Sequence, residues 1–192
     1  MKLVFATHNQ NKVKEIVCLL PPFYEMVSLN EIGFSEEIPE TAQTLEGNAT
    51  IKAETIYHST GMNCFADDTG LEVEALKGAP GVYSARYAGL QKNASDNIEK
   101  LLMEMGSIEN RKAQFRTVIC LIINGEKYLF EGKIVGQIEK EPRGEGGFGY
   151  DPIFTPDGFE KTFAEMNLEE KSKMSHRGIA FDKMIHFLKL LK

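Results

Sequence analysis

Residues 113–139, AQFRTVICLIINGEKYLFEGKIVGQIE, decide the fold class. Two long runs rich in β-branched and aromatic residues flank Asn124-Gly125, a dipeptide that favours a type I′ turn because both of its residues tolerate positive φ. The pattern predicts a hairpin of strands Ala113–Ile123 and Lys127–Glu139. Upstream, Ile98, Leu101, Leu102 and Met105 recur at helical spacing before Gly106, and Leu45–Tyr57 is rich in helix formers with Gly61 placed to end it left-handed. Lys2–Thr7 reads as a strand and His8–Asn11 as a polar loop. Val13, Ile16, Val17 and Leu20 then mark a helix face that Pro21-Pro22 stops. Met26–Leu29 reads as a second strand and Glu31–Glu40 as an acidic loop. Asn63–Ala66 and Leu71–Leu76 read as strands flanking a turn at Asp67-Asp68-Thr69-Gly70, and Gly78–Gly89 as a loop. Downstream, Asn167 with Glu170 resembles a helix cap, and Ile179, Met184, Phe187, Leu188 and Leu191 form one face of a terminal helix. Helices alternating with strands, plus the hairpin, imply an α/β class with an elongated central mixed sheet and helices packed around it.

The chain has 192 residues, 42% hydrophobic and 26% charged, which suits one folded domain over 1–192 without a large disordered segment. A net charge of -6 argues against a sequence-independent grip on nucleic acid, which needs cations to displace counterions from phosphates. A small phosphorylated ligand held by local cations, backbone N–H groups and a divalent metal is compatible with that charge. Cys18, Cys64 and Cys120 are odd in number and lack a CxxC pairing, so they read as reduced core thiols. The apolar run Leu3–Ala6 is too short for a secretory signal, and no run approaches a membrane span. A soluble, cytoplasmic protein is the expectation.

Four groups could carry chemistry. Asp67 and Asp68, with Glu40 upstream, are hard oxygen donors suited to Mg²⁺; two solvated loop aspartates are the alternative. Thr7, His8, Asn9, Gln10, Asn11 and Lys12 open the first helix, where free N–H groups and the dipole favour an anion. Gly144–Asp151 carries four glycines and two aromatics, so the backbone could approach a ligand while a ring stacks on a base, or it could be a plain flexible turn. Lys171, Ser172, Ser175, His176 and Arg177 cluster before the last helix, where a solvated junction is the other reading.

Taken together, FATHNQNKVKEI at 5–16, FADDTGLEVEALKGAPGVYSARYAG at 65–89, GGFGYDPIF at 146–154 and FAEMNLEEKSKMSHRGIAF at 163–181 resemble the inosine triphosphate pyrophosphatase family across essentially the whole chain. The resemblance implies hydrolysis of ITP, dITP or XTP to the monophosphate and pyrophosphate with Mg²⁺, and two lobes of one domain flanking a substrate cleft. It also implies a homodimer. It would put Thr7, Asn9 and Lys12 in a phosphate-binding loop, Lys52 facing the phosphates, and Glu40 and Asp68 at magnesium with Asp67 nearby. Asp68 would accept a proton and Thr69 would touch substrate. Phe148, Gly149, Tyr150 and Asp151 would line the base, and Lys171, His176 and Arg177 would make contacts near the terminal helix, with His176 and Arg177 beside the purine and Arg177 a donor to its 6-oxygen. Two residues depart from the pattern: His8 stands where glycine is common, and Thr69 where serine is common. A nucleotide-binding sensor without turnover is the competing function. An aspartyl-nucleophile phosphatase fits less well, because Asp67-Asp68-Thr69 lacks a D-x-D-x-T spacing.

Overall fold

In the computed structural model, which describes residues 1–191, the elements in chain order are β1 (Lys2–Phe5), α1 (Gln10–Val17), β2 (Glu25–Ser28), α2 (Leu45–Thr60), β3 (Cys64–Val73) and β4 (Pro80–Gly81). They are followed by α3 (Ala94–Met105), β5 (Lys112–Ile123), β6 (Glu126–Ile138), β7 (Phe154–Pro156), α4 (Leu168–Met174) and α5 (His176–Leu190). The hairpin forms as its sequence requires: Asn124 and Gly125 have φ of 52° and 86°, both positive, and connect β5 directly to β6. Strand order is β2-β1-β3-β5-β6-β7, with β4 beside β3, and the sheet mixes parallel with antiparallel pairs.

The chain divides into two compact units. The first holds Met1–Asp68, Thr117–Gly132 and the stretch from His176 on. In it β1 runs parallel to β2, from Lys2 opposite Glu25 to Phe5 opposite Ser28, and parallel to β3 at Val4–Cys64 and Phe5–Phe65. Leu3, Phe5 and Phe65 meet Ile119 and Leu121 of β5 and the apolar face of α5, Phe181, Met184 and Leu188. The Phe5 and Phe65 rings stack with centroids 4.5 Å apart.

The second unit holds Thr69–Arg116 and Lys133–Ser175. Its core gathers Leu71 and Val73 of β3, Leu101 and Met105 of α3, Phe115 of β5, and Phe154 and Phe163. β7 lies antiparallel to the end of β6, with Ile138 opposite Phe154. Gly78–Gly89, expected to be a loop, contains β4 and a single 3-10 turn at Ser84–Arg86.

Helix boundaries follow local chemistry. Asn9, Thr44, Asn93 and Asn167 cap α1, α2, α3 and α4 with side-chain oxygens, and Gly61 ends α2 at φ 66°. Two expectations fail. Asp67-Asp68-Thr69-Gly70 is not a turn: β3 runs unbroken from Cys64 to Val73. Aspartate and glycine favour turns only when nothing else satisfies them. Here both carboxylates are paired, and Gly70 serves close approach, since a Cβ would lie 2.6 Å from the Gly81 oxygen of β4. Cys18 is exposed rather than a core thiol, because it falls just past α1, whereas Cys64 and Cys120 are buried. Among the described residues no helix is long and apolar enough to cross a membrane.

Gly132 of β6 controls where α5 begins. A Cβ there would fall on the His176 carbonyl oxygen and 2.5 Å from the Ala180 nitrogen, so only glycine lets the first turns of α5 lie against the strand. Gly132→Ala should therefore destabilise the protein by about 1–3 kcal/mol, the usual range for overpacking a filled site. Urea unfolding measures it, and a loss below about 0.5 kcal/mol, the noise level of neutral surface substitutions, would show that α5 shifts freely.

Candidate functional site

Alternation along β3 sends the side chains of Asp67 and Asp68 to opposite faces of the strand. Each meets its own partners, all within the first unit. Asp67 accepts from Lys12 Nζ at 2.9 Å through Oδ1 and from Arg177 Nε at 3.1 Å through Oδ2. Arg177 also donates to Glu15 of α1. Glu15, Asp67 and Arg177 are each 3% exposed or less, so two acids and two bases share one buried network.

On the other face, Asp68 Oδ1 accepts from Lys52 Nζ at 3.1 Å, and the same ammonium donates to Glu40 Oε1 at 2.8 Å. Asp68 Oδ2 accepts from Asn48 Nδ2 at 3.2 Å, while Asn48 Oδ1 accepts from the Ala42 amide at 2.9 Å. Asn48 and Lys52 stand four residues apart on α2, which puts both on one helix face.

These surroundings separate two chemically identical groups. Burial alone would raise both carboxyls. At Asp67 that penalty is overcome by Lys12, Arg177 and Lys52, and the carboxyl is held far below its ordinary value. At Asp68 burial prevails: Lys52 and Lys12 pull downward, Glu40 adds repulsion, and the carboxyl ends above its ordinary value. Lys52, despite its own burial, is raised by Asp68 and Glu40, so it stays an ammonium. Burial lowers Lys12 more than Asp67 restores it.

The segment Thr7–Lys12 adopts the expected strand-loop-helix form, with one difference. Asn9 Oδ1 already accepts from the amides of Asn11 at 3.0 Å and Lys12 at 3.4 Å, so the capping side chain occupies donors that an anion would otherwise claim. His8 Nε2 sits 2.9 Å from the Glu36 carbonyl oxygen. A carbonyl only accepts, so that nitrogen carries a proton. The ring thereby ties this loop to the acidic segment leading to Glu40. Gln10 and Asn11 are exposed in the first turn of α1.

In the second unit, Asp151 Oδ2 accepts from the Phe148 amide at 2.6 Å and from Lys171 Nζ at 2.5 Å. The Lys171 ammonium also lies 4.7 Å from the centre of the Phe148 ring and 5.4 Å from that of Phe163. Gly149 has φ 63°, and the Tyr150 hydroxyl donates to the Ser84 carbonyl at 3.0 Å. The glycine-rich loop is thus bonded from within at Asp151. Thr69 is half-buried in β3, and His176 is buried at the start of α5.

Two polar residues escaped the sequence reading. Glu15 hides in the α1 face between Lys12 and Ile16, and its signal was an acid three residues from a candidate lysine on a helix that buries that side. Asn48 lies four residues before Lys52 on α2. Among the described residues no group of three or more His, Cys, Asp or Glu gathers as a ready metal cage. Instead, Glu40 and Asp68 converge on one ammonium, that of Lys52.

A profile of the Ham1 family matches residues 3–187. The chain is 55% identical to a dITP/XTP pyrophosphatase of Flavobacterium psychrophilum over 98% of its length and 100% of the relative's. It is 49% identical to a dITP/XTP pyrophosphatase of Bacillus subtilis over 96% of each. Among solved structures, the Ham1 protein of Staphylococcus aureus superposes with a TM-score of 0.90 at 40% identity, covering both chains completely. A nucleoside-triphosphatase / dITP/XTP pyrophosphatase from Mycobacterium abscessus gives 0.77 at 41% identity, over 96% of this chain and 99% of that one.

Asp67→Asn would leave Lys12 and Arg177 facing a neutral amide in a buried place. Removing one partner of such a network costs about 3–5 kcal/mol, so the variant should unfold at markedly lower urea. The sign with pH follows from the depressed carboxyl. The stability it contributes is full above the ordinary value of 3.8 and drains away as pH falls below it towards the folded value. Wild-type stability should drop on acidification below about pH 4, and the variant should drop less steeply. Equal acid sensitivity in both proteins would place the acid-labile pair elsewhere.

Proposed function

The chain belongs to the Ham1 family and hydrolyses non-standard purine nucleoside triphosphates such as ITP, XTP and dITP to the monophosphate and pyrophosphate; we propose that Asp68 is its proton acceptor and Glu40 with Asp68 its magnesium-binding pair. The observation that carries this reading is the unequal treatment of the two adjacent aspartates. Asp67 is locked as an anion by Lys12 and Arg177, whereas Asp68 shares one lysine with Glu40 and holds a proton more readily. Neighbouring titratable groups driven apart in this way mark the acid and base assignments of a site.

Two carboxylates match what Mg²⁺ asks of a protein, because it is ordinarily bound by one or two of them together with substrate phosphates. When bound, the ion neutralises phosphate oxygens and makes water a better nucleophile. The water oxygen bonds to the α-phosphorus, the α–β anhydride bond breaks, and the water's proton passes to Asp68. Pyrophosphate leaves with the bridging oxygen. Lys12 and Lys52 offset the charge that grows on it, and the Thr7–Lys12 segment holds the phosphates. Asp67 acts as the anion that keeps Lys12 and Arg177 in place, not as a metal ligand.

Phe148, Gly149, Tyr150 and Asp151 make the base-binding loop, with Lys171 beneath the Phe148 ring. His176 and Thr69 complete the substrate contacts. Arg177 is a different matter. At 1% exposure, with Glu15 and Asp67 on its guanidinium, it supports the phosphate-side lysine rather than reading the purine 6-oxygen. A homodimer in the cytoplasm belongs to the same reading, and light scattering of the purified protein checks the dimer.

Pyrophosphate and phosphate released from ITP, XTP, dITP, GTP and ATP with Mg²⁺ test the proposal. Asp68→Asn should fold and lose turnover about 100-fold or more. Wild-type pyrophosphate release by the folded variant would remove Asp68 from the chemistry. Lys12→Ala and Lys52→Ala should each weaken use of every triphosphate without altering base preference, since phosphates are common to all. A tenfold change in the ITP to ATP ratio with either would put that lysine near the base.

A further inference from the structure

We propose that Asn48 is a positioning residue for the hydrolysis, fixing the Asp68 carboxylate and tying it to the backbone beside Glu40. This rests on the reading of Asp68 given above. Asn48 is 0% exposed, so both ends of its amide must find partners inside the protein. The Ala42 N–H can only donate, which assigns the facing atom as Oδ1 and leaves Nδ2 to donate to Asp68. The usual ambiguity of an asparagine is removed by this one contact.

Each Asp68 oxygen then has its own donor, Lys52 on Oδ1 and Asn48 on Oδ2, and two donors four residues apart on one rigid helix fix the plane of the carboxylate. The other end of the amide reaches Ala42, two residues past Glu40, in a segment without regular secondary structure. That segment lies hard against the first turn of α2. A Cβ on Gly47 would come 2.5 Å from the Ala42 Cβ. Glu40 in turn reaches Lys52, so Asn48 and Lys52 each join the Glu40 segment to Asp68, one through the backbone and one through the side chain. Loss of the Asn48 link frees Asp68 to rotate about its own χ angles and loosens Glu40 at the same time.

Aspartate separates the two ends of the amide. Asn48→Asp keeps an acceptor for the Ala42 amide but puts a carboxylate, which cannot donate, against Asp68. It should lower kcat about 10- to 100-fold, the range seen when a partner of a metal-site residue is lost, with little change in KM for ITP. Hydrogen exchange at the Ala42 amide should stay as slow as in the wild type. Asn48→Ser is neutral and too short for either bond, and should lower kcat similarly while speeding exchange at Ala42 and raising the Mg²⁺ concentration for half-maximal rate. Wild-type kcat in either folded variant would overturn the proposal. So would a rise in KM for ITP without loss of kcat, which would make Asn48 a substrate contact. Asp68→Asn measured in parallel separates the two readings. If it is inactive while Asn48→Asp turns over normally, only the role of Asn48 fails; if it is active, both fail.

Discussion

Two aspartates in the middle of a buried strand are the constraint on which the first unit is arranged. A carboxylate taken out of water without compensation costs several kcal/mol, so a fold that carries Asp67-Asp68 inside β3 must bring donors to both faces. Strand geometry dictates that no single cluster can serve both, because adjacent side chains point opposite ways. Hence α1 and α5 converge on one face with Lys12 and Arg177, and α2 supplies the other with Lys52 and Asn48. Gly132, which admits the start of α5, is part of the same solution.

Unequal compensation then gives unequal chemistry. Asp67 pairs with two cations, Lys12 and an Arg177 that it shares with Glu15, whereas Asp68 pairs with one, a Lys52 that it shares with Glu40. The first carboxyl is held far below its ordinary value and the second ends above it, although they are the same residue type joined by one peptide bond. The second unit repeats the principle on a smaller scale. Lys171 and Asp151 form a buried pair, the Phe148 amide uses the same aspartate oxygen, and aromatic rings flank the ammonium. A loop with four glycines over Gly144–Asp151 would otherwise have many conformations, and this one carboxylate removes much of that freedom.

Much of this was legible without coordinates. The Asn124-Gly125 hairpin, the cap at Asn167 and the left-handed end at Gly61 rest on interactions within a few residues, and each formed where its sequence indicated. Likeness to the Ham1 family was legible too, because four ordered stretches carry it and their order needs no folding to be read.

What only the tertiary structure decided is which groups meet. Local propensity read Asp67-Asp68-Thr69-Gly70 as a turn, and the strand prevailed because Lys12, Lys52 and Arg177 arrive from 55, 16 and 110 residues away to satisfy the carboxylates. The same distances hid Glu15 and Asn48, whose partners lie on other elements, and they joined Arg177 to Glu15 and Asp67. The sequence by itself determined the hairpin, the Asn167 cap, the left-handed end of α2 and the family, since those depend on neighbours along the chain. The difference between the surroundings of Asp67 and Asp68 depends on burial and on charges that only folding brings together.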